Sequence, residues 1–374
     1  MTRLFALLIG ALLTGSLVHA QAPMSVHALP FRVEQGAVLS VHGDLHNFPG
    51  QIHNSDTIYV GGHFINDDPD SCFASVIGGN LIDKGFVVLD NSLFGTAPNI
   101  QEITGTEPTY FQNLILDGGV GNKRQTLDSY VRDTLDLRDE EIDTDDNTLF
   151  MLSDYINAIW RGDGFVSSNP GGWLWRPVTS AGAYMFPIGD SQTTLRYRPA
   201  YITPDAANPV DTFQLRFVNN DPDIDGFTNS LLDPSLCAIN NLYYHLIDRP
   251  TGQTAPVEVT TFFDPADPVT QQMARWNTAP NPASPRWRDL GNAQNSLINV
   301  PGLDNRTIAG VTSFNFQPFA LAIPKPNAQI TSTIPATLCD TESPLTLAGS
   351  PGGPGGEFFL FDPLTGTYTQ LPTN

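Results

Sequence analysis

The sequence predicts an all-β chain, a parallel β-solenoid followed by a β-sandwich, on three observations. A seven-residue phrase recurs early: "VHGDLHN" at 41–47, "VGGHFIN" at 60–66 and "IGGNLID" at 77–83. Short runs rich in Val, Ile, Leu, Phe and Thr are punctuated throughout by 32 Gly and 31 Pro. No window carries a helical apolar stripe, whereas period-two alternation such as "DTIYVGGHF" and "DTFQLRFV" is frequent.

The chain opens with Arg3 and an apolar run from Leu4 to Val18, followed by Val18-His19-Ala20. Small or aliphatic residues at these positions predict a signal peptide, residues 1–20, cut after Ala20. The run is too short and too Gly-containing for a membrane anchor, and no later stretch reaches spanning length. Gln21 at the new N-terminus, rather than Cys, argues against a lipoprotein.

Residues 31–165 carry the repeat. Gly43, Gly62 and Gly79 are spaced by 19 and 17 residues, with Leu45, Phe64 or Leu81 two positions on and Asn47, Asn66 or Asp83 two further. A period near 18 with one short alternating strand and an Asn/Asp corner suits one coil of a solenoid. Such a coil cannot bury its apolar residues alone. Stacking at about 4.8 Å overlays like residues, so Leu45, Phe64 and Leu81 are expected in one internal ladder. Asn47, Asn66 and Asp83 are expected in a corner ladder, where Asn and Asp tolerate left-handed backbone. Weaker echoes at "LDNSLFG" and "VRDTLDL" extend the pattern into longer, more acidic rungs.

The pattern changes near "RGDGFVSSNPGGW". From 170 to 323, longer strands between Pro-rich turns, among them "RYRPAYITP", "NLYYHLIDR" and "FNFQPFALAI", predict a sandwich. "PKPNAQITSTIP", residues 324–335, reads as a linker, and 336–374 as the opening strands of an Ig- or PKD-like module that ends too soon to close.

The coil signature, "TYFQNLILDGG", Phe186-Pro187-Ile188-Gly189, Tyr197-Arg198-Pro199, "FQPFALA" and the run from Cys339 to Phe358 together resemble the large exported surface proteins of Bacteroidetes-type bacteria. That resemblance, over roughly residues 31–360, implies a solenoid head, a sandwich module and Ig-like repeats. It also implies a type IX secretion sorting domain, sometimes the gliding-motility-associated kind, which this sequence does not contain before Asn374. Outer-membrane attachment through a region beyond Asn374 is the corresponding expectation.

Charge and cysteines narrow the function classes. The formal charge is -21, and about -22 once Arg3 is removed. Such a surface repels phosphate backbones, so nucleic acid is not an expected partner. Cys72, Cys237 and Cys339 are too few and too scattered for a disulfide framework.

Calcium is the one cofactor the sequence suggests. "DPDIDG" sets Asp221, Asp223 and Asp225 at alternate positions before Gly226, like the first half of a Ca²⁺ loop. Its twelfth position is Leu232 rather than Glu, so a solvated acidic hairpin is the preferred reading, with Ca²⁺ as the alternative. The acidic run Asp136 to Asn147 is weighed in the same way. His42, His46, His53 and His63 invite a metal, but ladder geometry does not by itself make them converge. The tripeptide Arg161-Gly162-Asp163 is a chance-level match to an integrin motif. "DTI" (56–58) and "DTL" (133–135) resemble O-glycosylation acceptors of such bacteria. Trp160, Trp173 and Trp175 suit sugar stacking, but are expected to plug the solenoid end and seat the sandwich.

No catalytic signature is present: no G-x-S-x-G, no H-E-x-x-H, no P-loop. The sequence therefore points to a non-enzymatic exported surface protein with a structural, adhesive or matrix role, contacting extracellular carbohydrate or protein. A carbohydrate-active β-helix enzyme, lyase or glycosidase, is the alternative.

Overall fold

The computed structural model describes residues 23–27, 30–69, 72–73, 76–77, 80–81, 84–93, 100–119, 122–207, 210–252, 255–277, 285–291, 295–312, 314 and 317–325, with short strands between 329 and 370. The expected signal peptide (residues 1–20), Asp83, Cys339 and most of the segment expected to be Ig-like lie outside the described residues. Apart from short 3₁₀ turns, the regular structure described is β.

A parallel β-solenoid of about six turns forms the N-terminal part. Its first sheet stacks the strands Met24–Val26, Leu45–Asn47, Phe64–Asn66, Ile100–Gly105, Asn122–Gln125, Glu141–Asp145, Phe165–Pro170 and Ile188–Asp190. The second stacks Val38–Val41, Thr57–Val60, Phe86–Asp90, Thr109–Asp117, Ser129–Asp136, Thr148–Met151 and Trp173–Pro177. A short third side pairs Phe31–Val33 with Ile52–Asn54. Parallel pairing thus passes the expected limit at 165 and reaches Ile188 and Gly189. It ends where antiparallel strands follow, Arg196–Tyr197 on the first sheet and Thr212–Val218 on the second.

Two of the three repeat copies form the expected ladder, and the third does not. Leu45 lies opposite Phe64, but Phe64 lies opposite Ile103. Leu81 instead pairs with Val76 in a two-stranded antiparallel hairpin, Ile77 pairing with Asn80. Only two residues separate Ile77 from Asn80, both Gly, the composition that favours a tight two-residue hairpin. That local pairing takes the third copy out of the stack, and the longer rung resumes at Phe86 and Ile100.

Period-two alternation explains the interior. Leu45, Phe64 and Ile103 are buried, as are Ile58, Val87, Leu114 and Leu135 in the facing sheet, which occupy one column. Phe64, Phe73 and Phe111 form a three-ring cluster with centroids 5.2 to 5.8 Å apart, the spacing at which edge and offset contacts are favourable.

The corners work differently from the expected left-handed Asn/Asp ladder. The described non-Gly residues with positive φ are Arg138 and Asp145. Asn and Asp act through their side chains. Asn54, Asn66, Asp90, Asp136, Asp143 and Asp190 each accept a hydrogen bond from the backbone N–H two residues on. This Asx turn satisfies a donor at the bend. Asn47 Nδ2 also donates to Asn66 Oδ1 at 3.2 Å, linking neighbouring rungs. Gly62 is needed for another reason: a Cβ there would lie 2.3 Å from Asp44 Oδ1 and 2.7 Å from Asp44 N.

The chain divides into two units, the first being 1–219 with 246–261 and 309–316. Past the solenoid, this unit carries an antiparallel arrangement in which Ala200–Pro204 pairs with Tyr184–Phe186 on one side and with residues 257–261 on the other. The fully buried Arg176 donates to the carbonyls of Met185 and Tyr155, both at 2.9 Å, and lies over Tyr184. Burial lowers its pKa to about 10.

The second unit is 220–245, 262–308 and 317–374. In it Gln272–Asn277 pairs antiparallel with Arg286–Asp289 and with Gln317–Pro324, and Leu236–Ile239 joins the latter. Trp276 and Trp287 pack edge to face at 5.6 Å. Within the expected linker, Gln329–Ile330 pairs with Gly349–Ser350, so that stretch is partly strand.

Candidate functional site

Because inward positions are filled, chemistry must come from residues pointing outward on the two solenoid sheets. On the first sheet, Glu102, Arg124 and Asp143 are successive members of one outward column. Arg124 pairs with Glu102, and that hydrogen bond raises its already high pKa. Beside this column stand Glu141 and Asp190. Glu141 Oε2 accepts from Ser191 Oγ, while Asp190 accepts from Gln192 N at 2.9 Å and Asn219 Nδ2 at 3.0 Å.

Burial is the main cause pushing both Glu141 and Asp143 above the usual carboxylate range. Hydrogen bonds from Ser191 and from Asp145 N oppose the shift, and neighbouring carboxylates reinforce it. Two partly buried carboxyls with raised pKa values are the kind of groups that general acid catalysis of glycoside cleavage uses. The sequence pattern showed the acids but not which of them desolvation would single out.

The second sheet presents two aromatic features. Tyr110, Tyr130 and Phe150 stack along the column, with centroids 4.2 and 4.6 Å apart and ring planes within 10° of parallel. Trp175 continues the stack at 5.5 Å. Both faces of Tyr130 are covered by neighbouring rings, so its edge, not its face, meets water. Tyr130 is also pushed up to about 12, by burial first and then by Tyr110 and Asp128. This stack holds rungs together, and Tyr130 offers no broad face to a sugar.

Trp160 behaves differently. It is 60 % exposed, which corrects the expectation that it plugs the solenoid end. Its backbone is fixed in the strand Ile159–Trp160, where it lies opposite Asp136, and its carbonyl accepts from Leu137 N at 2.8 Å. Arg138, held at φ 42°, engages the residue paired with Trp160: its guanidinium pairs with Asp117 and lies 3.8 Å from Asp136 Oδ2.

The remaining sequence candidates do not gather into one centre. Asp221, Asp223 and Asp225 build a 3₁₀ turn in the second unit. Asp221 Oδ1 accepts from Asp223 N at 3.0 Å and Asn229 Nδ2 at 2.7 Å, Asp223 accepts from Asn229 N, and Asp225 Oδ2 accepts from Tyr244 Oη at 2.6 Å. Each carboxylate is engaged in holding the turn, and Gly226 closes it in the left-handed region at φ 86°.

The histidines take separate partners. His42 Nδ1 meets the Leu93 carbonyl at 3.2 Å, His46 meets Asp67 at 2.7 Å, and Glu102 N donates to His63 Nδ1 at 3.0 Å. The hydrogen bond from His46 holds Asp67 below the ordinary carboxylate range. His53 is buried, which lowers its pKa. Among the described residues, no three His, Cys, Asp or Glu are grouped as metal ligands.

Arg161 of the Arg-Gly-Asp tripeptide lies 3.9 Å from the Tyr197 ring and donates to Gly164 O, so it is laid against the solenoid rather than projected. Of the acceptor-like threonines, Thr57 donates to Asp56 Oδ1 at 3.1 Å. Thr134 follows the Arg132–Asp133 bulge, where the register jumps. Cys72 is buried, with its thiol pushed well up by burial, and Cys237 is exposed; neither is in a disulfide.

No protein-family model, no curated protein and no solved structure matches this chain. No described helix is long and apolar enough to cross a membrane.

Proposed function

We propose that this chain is a non-enzymatic exported surface protein in which the solenoid is a rigid scaffold serving structural, adhesive or matrix contacts. The observation that carries this reading is the stacking itself: about six turns with an interior filled by side-chain ladders. Repeats of this kind gain stability from neighbour to neighbour and present extended flat faces. The signal-like N-terminus, the acidic balance and the absence of a catalytic sequence signature support it. Its partners are an extracellular carbohydrate or protein surface. Calcium at Asp221, Asp223 and Asp225 remains a separate proposal that the scaffold role does not need.

A second reading, a carbohydrate-active enzyme, is favoured by one observation, the raised pKa values of Glu141 and Asp143. Glu141→Gln separates the two. A carboxyl whose folded-state pKa lies above the 4.5 of the free group contributes stability that is complete below that value and is lost as pH rises through the folded one. The fold therefore gains from the substitution at pH 7 under either reading, with the gain disappearing on acidification to about pH 4, and turnover is what separates the two. With a panel of polysaccharides, the wild type yields no new reducing ends and no unsaturated products. Turnover that Glu141→Gln or Asp143→Asn abolishes without unfolding would establish the enzymatic reading instead.

A further inference from the structure

We infer that Trp160, with Asp136, Arg138 and Asp117, forms a binding subsite for a neutral carbohydrate chain on the second sheet of the solenoid. This deepens the scaffold reading and rests on it. An indole side chain offers roughly 150–250 Å² of apolar surface, and here most of it faces water at 60 % exposure. The backbone is already immobilised, with Trp160 O accepting from Leu137 N and Gly162 N donating to Arg138 O at 2.6 Å. Stacking on the ring therefore costs little ordering.

The groups beside the ring decide the class of ligand. Asp136 is Trp160's lateral neighbour, and Arg138 bridges Asp136 and Asp117, with the three side chains 30 %, 45 % and 35 % exposed respectively. A half-exposed guanidinium between two carboxylates, one of them the residue paired with Trp160, supplies donors and acceptors next to the strand position that carries the indole. That combination matches a pyranose, which has an apolar face and a rim of hydroxyls. Two carboxylates against one guanidinium, in a chain of charge -21, disfavour a uronate or sulfated chain.

A second protein copy fits less well. A stable dimer buries about 800 Å² on each partner, several times what one indole offers, and charged groups flank this one. Stacking distinguishes Trp160 from Tyr130 as well, both of whose ring faces are covered by Tyr110 and Phe150.

Affinity electrophoresis in gels containing neutral soluble polysaccharides (a mixed-linkage β-glucan, a galactomannan, dextran) or an anionic one (polygalacturonate) tests this with the full chain. Wild type is expected to be retarded by at least one neutral gel and not by the anionic gel. Trp160→Ala should weaken retardation about tenfold or more, as truncating an aromatic anchor does, and Trp160→Phe should keep part of it. Tyr155→Ala, at a 63 % exposed aromatic without the ion-pair neighbours, should bind like wild type. Melting temperatures of Trp160→Ala and wild type should agree, separating lost binding from lost folding. Retardation equal in wild type and Trp160→Ala, retardation only by polygalacturonate, or none in any neutral gel overturns the subsite. So does a Trp160-dependent dimer in sedimentation, which assigns the patch to a second copy. All of these leave the scaffold standing, whereas new reducing ends in the polysaccharide panel overturn the scaffold reading whatever Trp160 does.

Discussion

Phe64→Ala is expected to destabilise the solenoid by about 3–5 kcal/mol, the usual range for deleting a buried ring. Phe64 is fully buried, stands between Leu45 and Ile103 in the internal ladder, and touches both Phe73 and Phe111. Removing it opens a void that strands hydrogen-bonded on both sides cannot collapse to fill. In a repeat fold the damage passes first to nearest neighbours. Thermal unfolding followed by circular dichroism should move down by roughly 10 °C, and amide exchange should accelerate first in Leu45–Asn47 and Ile100–Gly105. A shift of only a degree or two would mean that Phe64 is not inside a packed column.

The second large effect concerns a charge in the interior. Lys123 is fully buried and donates to Asn91 Oδ1 at 2.9 Å, with Glu140 Oε2 at 3.7 Å and Glu140 itself 4 % exposed. Burial lowers the lysine pKa, while Glu140 and Asp90 hold it up. Lys123→Met leaves Glu140 charged and without its cation, a change that costs about 3–5 kcal/mol. Adding Glu140→Gln removes the stranded charge and keeps an oxygen for Gly119 N, which Glu140 Oε1 now accepts from. Most of the loss should therefore be recovered in the double variant, since buried pairs replaced together are often nearly neutral. Denaturant titrations of the single and double variants measure this directly, and two simply additive losses would contradict the pairing.

Lys123 also shows where sequence reading stops. Period-two alternation in "NKRQ" identifies two faces, but a lysine is assigned outward by its chemistry, and its partners Asn91 and Glu140 are distant in the chain. Leu45 and Phe64 were legible because two matching seven-residue phrases align like with like. Leu81 was not, since the same motif with Gly-Gly between Ile77 and Asn80 closes on itself before it can stack. The corner residues were recognised by position and misassigned in mechanism: Asn66 and Asp136 bend the chain through side-chain acceptance rather than left-handed backbone. Trp160's size suggests a junction, and only the pairing with Asp136 reveals that its position faces outward. Glu141 and Asp143 stood out only once burial could be seen, because desolvation depends on residues as remote as Ser191.

The central claim is that the solenoid ladder runs from the second repeat copy directly to the rung at Ile100–Gly105, leaving the third copy aside. Ile65 and Thr104 are opposite one another in that step, and adjacent parallel strands lie about 4.8 Å apart, within the Cα separation a disulfide spans. With Cys237→Ser and Cys339→Ser in the background, Ile65→Cys combined with Thr104→Cys should oxidise readily under mild conditions, with the cross-link identified by peptide mass mapping. Efficient formation of that cross-link is the expected result, and a pair that stays reduced under the same oxidation would show that Ile100–Gly105 does not follow Phe64–Asn66 and would contradict the fold described.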